Sequence, residues 1–254
     1  MTYLQALILG IVQGLTEFLP VSSSGHLVII QSIFKNFKQP GISFDVFLHF
    51  GTLFSVLIYF RNEILDILRL KNKKWIFLII IATIPAGIVG ILFKDFIENL
   101  FNNPILVAYA LIFTGIILFC SDKIGSENKD DNNITFVDAA IIGIAQAFAI
   151  IPGISRSGST VSVGIFCGLK RDVAIKFSFI MSIPAILGAV VLSLKDFSSI
   201  NSSLYGIYMT GFFSSLIVGL LSLKLLTILT KLKSLKFFSI YCWCIAVGVL
   251  IWMK

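Results

Sequence analysis

Six long apolar runs decide most of what this chain can become. Residues 42–60, 75–93, 104–121, 173–194, 204–223 and 236–253 carry almost no charge, and a bilayer crossing needs about 20 apolar residues in succession. Helices satisfy their own backbone polar groups in lipid, so the expected fold is an all-α polytopic membrane protein with six spanning helices. Composition agrees: the chain is 57% hydrophobic and 13% charged, against about 25% charged residues in a soluble domain. The net charge of +7 could point to nucleic acid, but the basic residues sit in short loops between apolar runs. That placement suits membrane orientation, so membrane lipids are the expected surroundings and no nucleic-acid partner is expected. The opening MTYLQALILG has neither a basic start nor a small-residue cleavage site, so no cleaved leader is expected. Cys120, Cys167, Cys242 and Cys244 lie in apolar stretches without zinc-type spacing and are expected to be buried thiols.

Two further regions are interrupted. Residues 3–34 are broken by Pro20-Val21-Ser22-Ser23-Ser24-Gly25-His26, and residues 134–169 by Pro152-Gly153-Ile154-Ser155-Arg156-Ser157-Gly158-Ser159-Thr160. The apolar arms that follow, Leu27 to Phe34 and Val161 to Leu169, reach only about 12–14 Å as helices, less than half the hydrocarbon core. Each region therefore reads as a re-entrant helical hairpin whose irregular tip lines a protein-enclosed, wet cavity.

Charge orients the chain. With both hairpins re-entrant and the N-terminus outside, Arg61, Arg69, Lys71, Lys73, Lys74, Lys123, Lys129, Lys170, Arg171, Lys176, Lys224, Lys231, Lys233 and Lys236 are cytoplasmic. Lys35, Lys38, Lys94, Lys195 and Lys254 are outside. This is the bias of the positive-inside rule. The hairpins also resemble each other. Shifted by 133 residues, Gly10, Gln13, Ser22, Ser24, Gly25 and Phe44 fall on Gly143, Gln146, Ser155, Ser157, Gly158 and Phe177. The chain is thus expected to be a single membrane domain built as an inverted-topology repeat. One half covers roughly 1–121 and contains hairpin 3–34; the other covers roughly 134–254 and contains hairpin 134–169.

The breaks carry the chemistry. Gln13 and Glu17 share one helix face, and an acid within a membrane segment is costly enough to suggest function. Ser22, Ser23, Ser24 and Gly25 precede an apolar run, the pattern of a helix N-terminus with free N–H groups suited to an oxyanion. His26 can move a proton or attack phosphorus near neutral pH. The second histidine, His49, with Asp45 one turn earlier, reads as a structural hydrogen-bonding residue. Asp45 itself reads as its partner or as an interfacial charge. Arg156, far from any basic loop, needs an anion; its planar fork suits a phosphate, an internal ion pair to Glu17 is the alternative, and the two can coexist because a substrate phosphate could displace or share the carboxylate. Ser155, Ser157 and Thr160 supply hydroxyls beside it. A cation, donors, a base or nucleophile and a carboxylate are what phosphoanhydride cleavage needs. A lipid-phosphate transporter would use the same groups, and a channel fits less well because one Arg beside a Glu/His cluster is a site rather than a pore.

The segments QGLTEFLPVSSSGH (13–26) and PGISRSGST (152–160) closely resemble the two signatures of the undecaprenyl-diphosphatase, or bacitracin-resistance, family. FDVFLHFGT (44–52) and KFSFIMSIPAILGA (176–189) are similar to it as well. The resemblance implies hydrolysis of undecaprenyl diphosphate to undecaprenyl phosphate and inorganic phosphate. This recycles the lipid carrier of peptidoglycan synthesis at the outer face of the bacterial cytoplasmic membrane. It implies a divalent metal, Mg²⁺ or Ca²⁺, and a homodimer. Carried over by motif position, the family's catalytic residues fall on Glu17, Ser23, His26, Ser155, Arg156 and Thr160. Glu17 is then the metal ligand or the group that orients His26. The family's other acidic-motif position falls on Gln13, which leaves Glu17 as that motif's sole carboxylate. Ser22, Ser24, Ser155, Ser157, Thr160 and Gln13 are the expected substrate-binding residues.

Overall fold

A computed structural model describes residues 1–34, 43–124, 127–193, 202–230 and 234–253. These form twelve α-helices: α1 (Tyr3–Phe18), α2 (Ser23–Ile33), α3 (Ser43–Tyr59), α4 (Arg61–Leu68), α5 (Lys73–Leu92), α6 (Lys94–Leu100), α7 (Pro104–Ile124), α8 (Phe136–Phe148), α9 (Arg156–Phe166), α10 (Arg171–Leu192), α11 (Tyr205–Thr230) and α12 (Lys236–Trp252). Among the described residues there is no strand, only an isolated bridge between Lys129 and Leu169.

Four helices, α5, α7, α10 and α11, are long and apolar enough to cross a membrane. α3 and α4 add a fifth if they count as one span, although the chain bends by 79° between them. The expected run 42–60 starts at residue 42, outside the described residues. The expected run 236–253 is helical as α12, whose 17 residues reach about 26 Å, slightly less than the hydrocarbon core. Many outward-facing side chains of these helices are large and apolar, among them Phe77, Ile84, Phe113, Ile217 and Ile251. This outward apolarity also overturns one expectation about the thiols. Only Cys242 is buried; Cys244 is exposed, and Cys120 and Cys167 are intermediate, because a lipid-facing surface accepts a thiol as readily as the core does.

The two interrupted regions fold as broken helix pairs, α1–α2 and α8–α9, and they match in detail at the 133-residue spacing. Each opens with a capping box, Thr2 with Gln5 and Thr135 with Asp138, worth about 1 kcal/mol to each helix start. The second helix of each pair is capped by a serine, Ser22 accepting from Gly25 N–H and Ser155 from Gly158 N–H. α1 packs on α11, and its counterpart α8 packs on α5, which corresponds to α11 in the shifted numbering. Gly10 and Gly143 permit these approaches. A Cβ on Gly10 would lie 2.6 Å from the Gly211 carbonyl oxygen, and one on Gly143 would lie 2.6 Å from that of Ala82.

α1 buries Ala6, Leu9, Gly10, Gln13, Gly14, Thr16 and Glu17, positions three and four apart that make one helical stripe. The inward stripe therefore ends in polar groups at the break. The two breaks face each other across the middle of the fold. A Cβ on Gly25 would come within 3.0 Å of the Gly153 Cα, the Ser22 hydroxyl donates to the Ile154 carbonyl at 3.4 Å, and the Ser157 hydroxyl donates to the Leu19 carbonyl at 3.2 Å. Gly153 itself has φ +95°, and a Cβ there would lie 2.5 Å from the Val107 carbonyl oxygen. Both conditions require glycine.

Candidate active site

Glu17 lies at the centre of the joined breaks. It comes from the last turn of α1, is 6% exposed, and uses both carboxylate oxygens. Oε1 accepts from Arg156 Nη2 at 2.5 Å. Oε2 accepts from the Ser23 hydroxyl at 2.6 Å and from Gln13 Nε2 at 3.0 Å, and it lies 3.2 Å from His49 Nδ1. A carboxylate removed from water needs such partners, since an unpaired buried charge is strongly unfavourable. Arg156 begins α9 directly after its Ser155 cap, so the break that exposes the helix N-terminus also delivers the guanidinium. Its Nη1 donates to the Ser178 carbonyl at 3.4 Å.

The structure thus brings Gln13, Glu17, Ser23 and Arg156 into direct contact. Ser22 and Ser155 serve as caps, with the Ser24 and Ser157 hydroxyls 3.4 and 3.3 Å from them. Thr160, one turn into α9, donates to the Arg156 carbonyl at 2.8 Å and lies 2.6 Å from the Ser178 hydroxyl. His26 lies on α2 three residues beyond Ser23, hence on the same helix face, but among the described residues no hydrogen bond joins it to Glu17 or Arg156. The imidazole beside the carboxylate is that of His49, and His26 is held by the Ser22 carbonyl at 2.7 Å and the Tyr241 hydroxyl at 2.9 Å.

His49, expected as a structural hydrogen-bonding residue, lies 2.9 Å from Gln13 Nε2. Two further residues of the cluster, Ser178 and Tyr241, are not among the expected site residues. Ser178 falls within the KFSFIMSIPAILGA segment (176–189), whereas nothing in the local sequence marks Tyr241. Asp45 is 4% exposed and accepts from Gln31 of α2 at 2.8 Å, so it ties α3 to the first broken pair.

Comparison with known proteins decides the family. The profile of the bacitracin resistance protein BacA family matches residues 6–248. The chain belongs to this family. A relative from Carboxydothermus hydrogenoformans, named undecaprenyl-diphosphatase, is 45% identical over 255 aligned residues, covering 99% of this chain and 97% of its own. Undecaprenyl-diphosphatases of Syntrophotalea carbinolica and Methanobrevibacter smithii are 42% and 43% identical, over 96% and 100% of this chain and 96% and 98% of theirs.

Proposed function

We propose that this BacA-family chain is a membrane phosphatase that hydrolyses undecaprenyl diphosphate to undecaprenyl phosphate and inorganic phosphate. The observation that carries the reading is the ion pair between the partly buried Arg156 and the buried Glu17, set between two serine-capped helix N-termini. A guanidinium and two sets of free N–H groups at one point favour a multiply charged oxyanion. In this reading the diphosphate enters between the breaks, takes Arg156 as its partner, and places a phosphoryl group beside Ser23 and His26. The Ser23 hydroxyl donates to Glu17, so the carboxylate is positioned to draw off the serine proton. Phosphoenzyme trapping decides whether one of these side chains or water attacks.

The donor set fits a divalent ion that shares its coordination with the substrate. Among the described residues no three His, Cys, Asp or Glu side chains are grouped to hold a metal. The Gln13 Oε1 atom, however, is buried without a partner, on the side chain whose Nε2 meets the Glu17 carboxylate. One carboxylate, a carbonyl oxygen and phosphate oxygens make an ordinary Mg²⁺ set. Glu17 and Gln13 would hold Mg²⁺ or Ca²⁺, which would neutralise charge on the phosphates.

The broader setting belongs to the same proposal. α1–α2 and α8–α9 are re-entrant hairpins in an inverted-topology repeat, supported by the matched caps, glycine contacts and cross-break hydrogen bonds. α3 with α4 and α12 complete six spans. The site opens to the extracytoplasmic side of a bacterial cytoplasmic membrane, and the chain pairs as a homodimer, as the family resemblance implies. Phosphate release from undecaprenyl diphosphate by purified protein in detergent tests the activity, since hydrolysis, unlike transport, needs no second compartment. His26→Ala should lower the rate at least about hundredfold, and a chelator should lower it in the wild type. Wild-type release no faster than the protein-free control sinks the reading.

A further inference from the structure

His26 is gripped at both ring nitrogens, and the two grips differ in kind. Nδ1 lies 2.7 Å from the Ser22 carbonyl oxygen, which can only accept, so Nδ1 carries the ring proton. In the neutral ring Nε2 then bears the lone pair, and the Tyr241 hydroxyl, 2.9 Å away, donates to it. The two rings are nearly parallel, with centroids 5.6 Å apart and planes within 6°. Ser22 aims its carbonyl through an unusual backbone, φ 68° and ψ 95°, a region that residues with a side chain avoid and that clusters at functional sites. The same carbonyl also accepts the His26 backbone N–H at 3.2 Å.

We propose that Tyr241 is a positioning residue for the reaction, acting through His26. It arrives from α12, at the far end of the chain, and fixes the imidazole through Nε2, while the Ser22 carbonyl keeps the ring proton on Nδ1 and so the lone pair on the Tyr241 edge. Chemistry at His26 therefore takes place at that edge, where the phenol yields its place to the reacting group. The inference rests on the phosphatase reading, and it assigns a role to a residue outside both signature segments. Tyr241 is 41% exposed, so its hydroxyl has room to leave Nε2 without unpacking α12.

Tyr241→Phe keeps the ring and removes the hydroxyl. The chain has two histidines, so ¹⁵N-histidine labelling with His49→Ala as an assignment control reads the His26 tautomer directly. The wild type is expected to show the proton on Nδ1. Tyr241→Phe is expected to leave the proton on Nδ1, where the Ser22 carbonyl holds it, to move the Nε2 resonance as its hydrogen bond is lost, and to lower kcat for phosphate release about tenfold, a fraction of what acid–base groups contribute, with KM within about twofold. A wild-type His26 protonated on Nε2, or a Tyr241→Phe variant with either an unchanged Nε2 resonance or an unchanged kcat, overturns the proposal. A wild type that releases no phosphate sinks the phosphatase reading instead, and the response of the Nε2 resonance to Tyr241→Phe still decides whether Tyr241 orients the ring.

Discussion

The guanidinium of Arg156 commits Nη2 to Glu17 and Nη1 to the Ser178 carbonyl. A lysine at this position keeps the charge but presents one point where the fork presents two. Each charge-assisted hydrogen bond is worth about 1.5–3 kcal/mol, so Arg156→Lys should lower kcat/KM for diphosphate hydrolysis by about 10- to 100-fold. Steady-state phosphate release checks this, and a variant with full turnover would show that the planar fork is dispensable. Ser22, Ser155, Gln13, Glu17 and Arg156 could be picked out from the sequence because caps, i,i+4 faces and a charge stranded in an apolar run are local signals. Ser178 and Tyr241 could not. Their partners, Arg156 and His26, lie 22 and 215 residues away, and only the tertiary fold closes those distances.

At the scale of elements, glycines set the spacing between helices. Gly10 and Gly143 bring α1 and α8 close to the backbones of α11 and α5, and carbonyl oxygens stand where a side chain would begin. A leucine at either position must push two helices apart, and overpacking of this kind costs about 1–3 kcal/mol. Gly143→Leu should lower the thermal midpoint in detergent by about 2–10 °C, and Gly10→Leu by a similar amount if the two broken pairs are true equivalents. A midpoint unchanged in Gly143→Leu would mean that α8 is not packed against α5 as described. Gly188, with nothing within 4 Å of an added Cβ, supplies the control: Gly188→Leu should leave the midpoint unmoved. The breaks were readable because Pro, Ser and Gly interrupt the apolar pattern. Which helix each pair would pack against was not, since every candidate face is small and apolar and sequence alone does not rank them.

For the molecule as a whole, orientation follows from where the positive charge falls. Lys35, Lys38, Lys195, Lys231, Lys233 and Lys254 lie outside the described residues, so the structure speaks for the remainder. At the end expected to be cytoplasmic, basic and acidic side chains form a belt. Arg171 pairs with Asp122 and Glu127, Lys129 with Asp138, Lys170 with Asp130, and Lys176 with Asp131. Asp122 also accepts the backbone N–H groups of Leu235 and Lys236 at the start of α12. The belt ties the entry to the second broken pair, its exit and the last helix to one end of the bundle. A span that ran the opposite way would pull one member of the belt across the bilayer, so the orientation of all these elements stands or falls together. Lys71 and Lys94 flank α5 at its two ends, and both side chains are about half exposed. With all four native cysteines replaced, an impermeant thiol reagent applied to intact cells should label Lys94→Cys and spare Lys71→Cys until the membrane is opened. Labelling of Lys71→Cys in intact cells would invert the topology. It would put the charge belt outside, against the excess of positive charge that orients membrane proteins, and turn the first broken pair toward the cytoplasm.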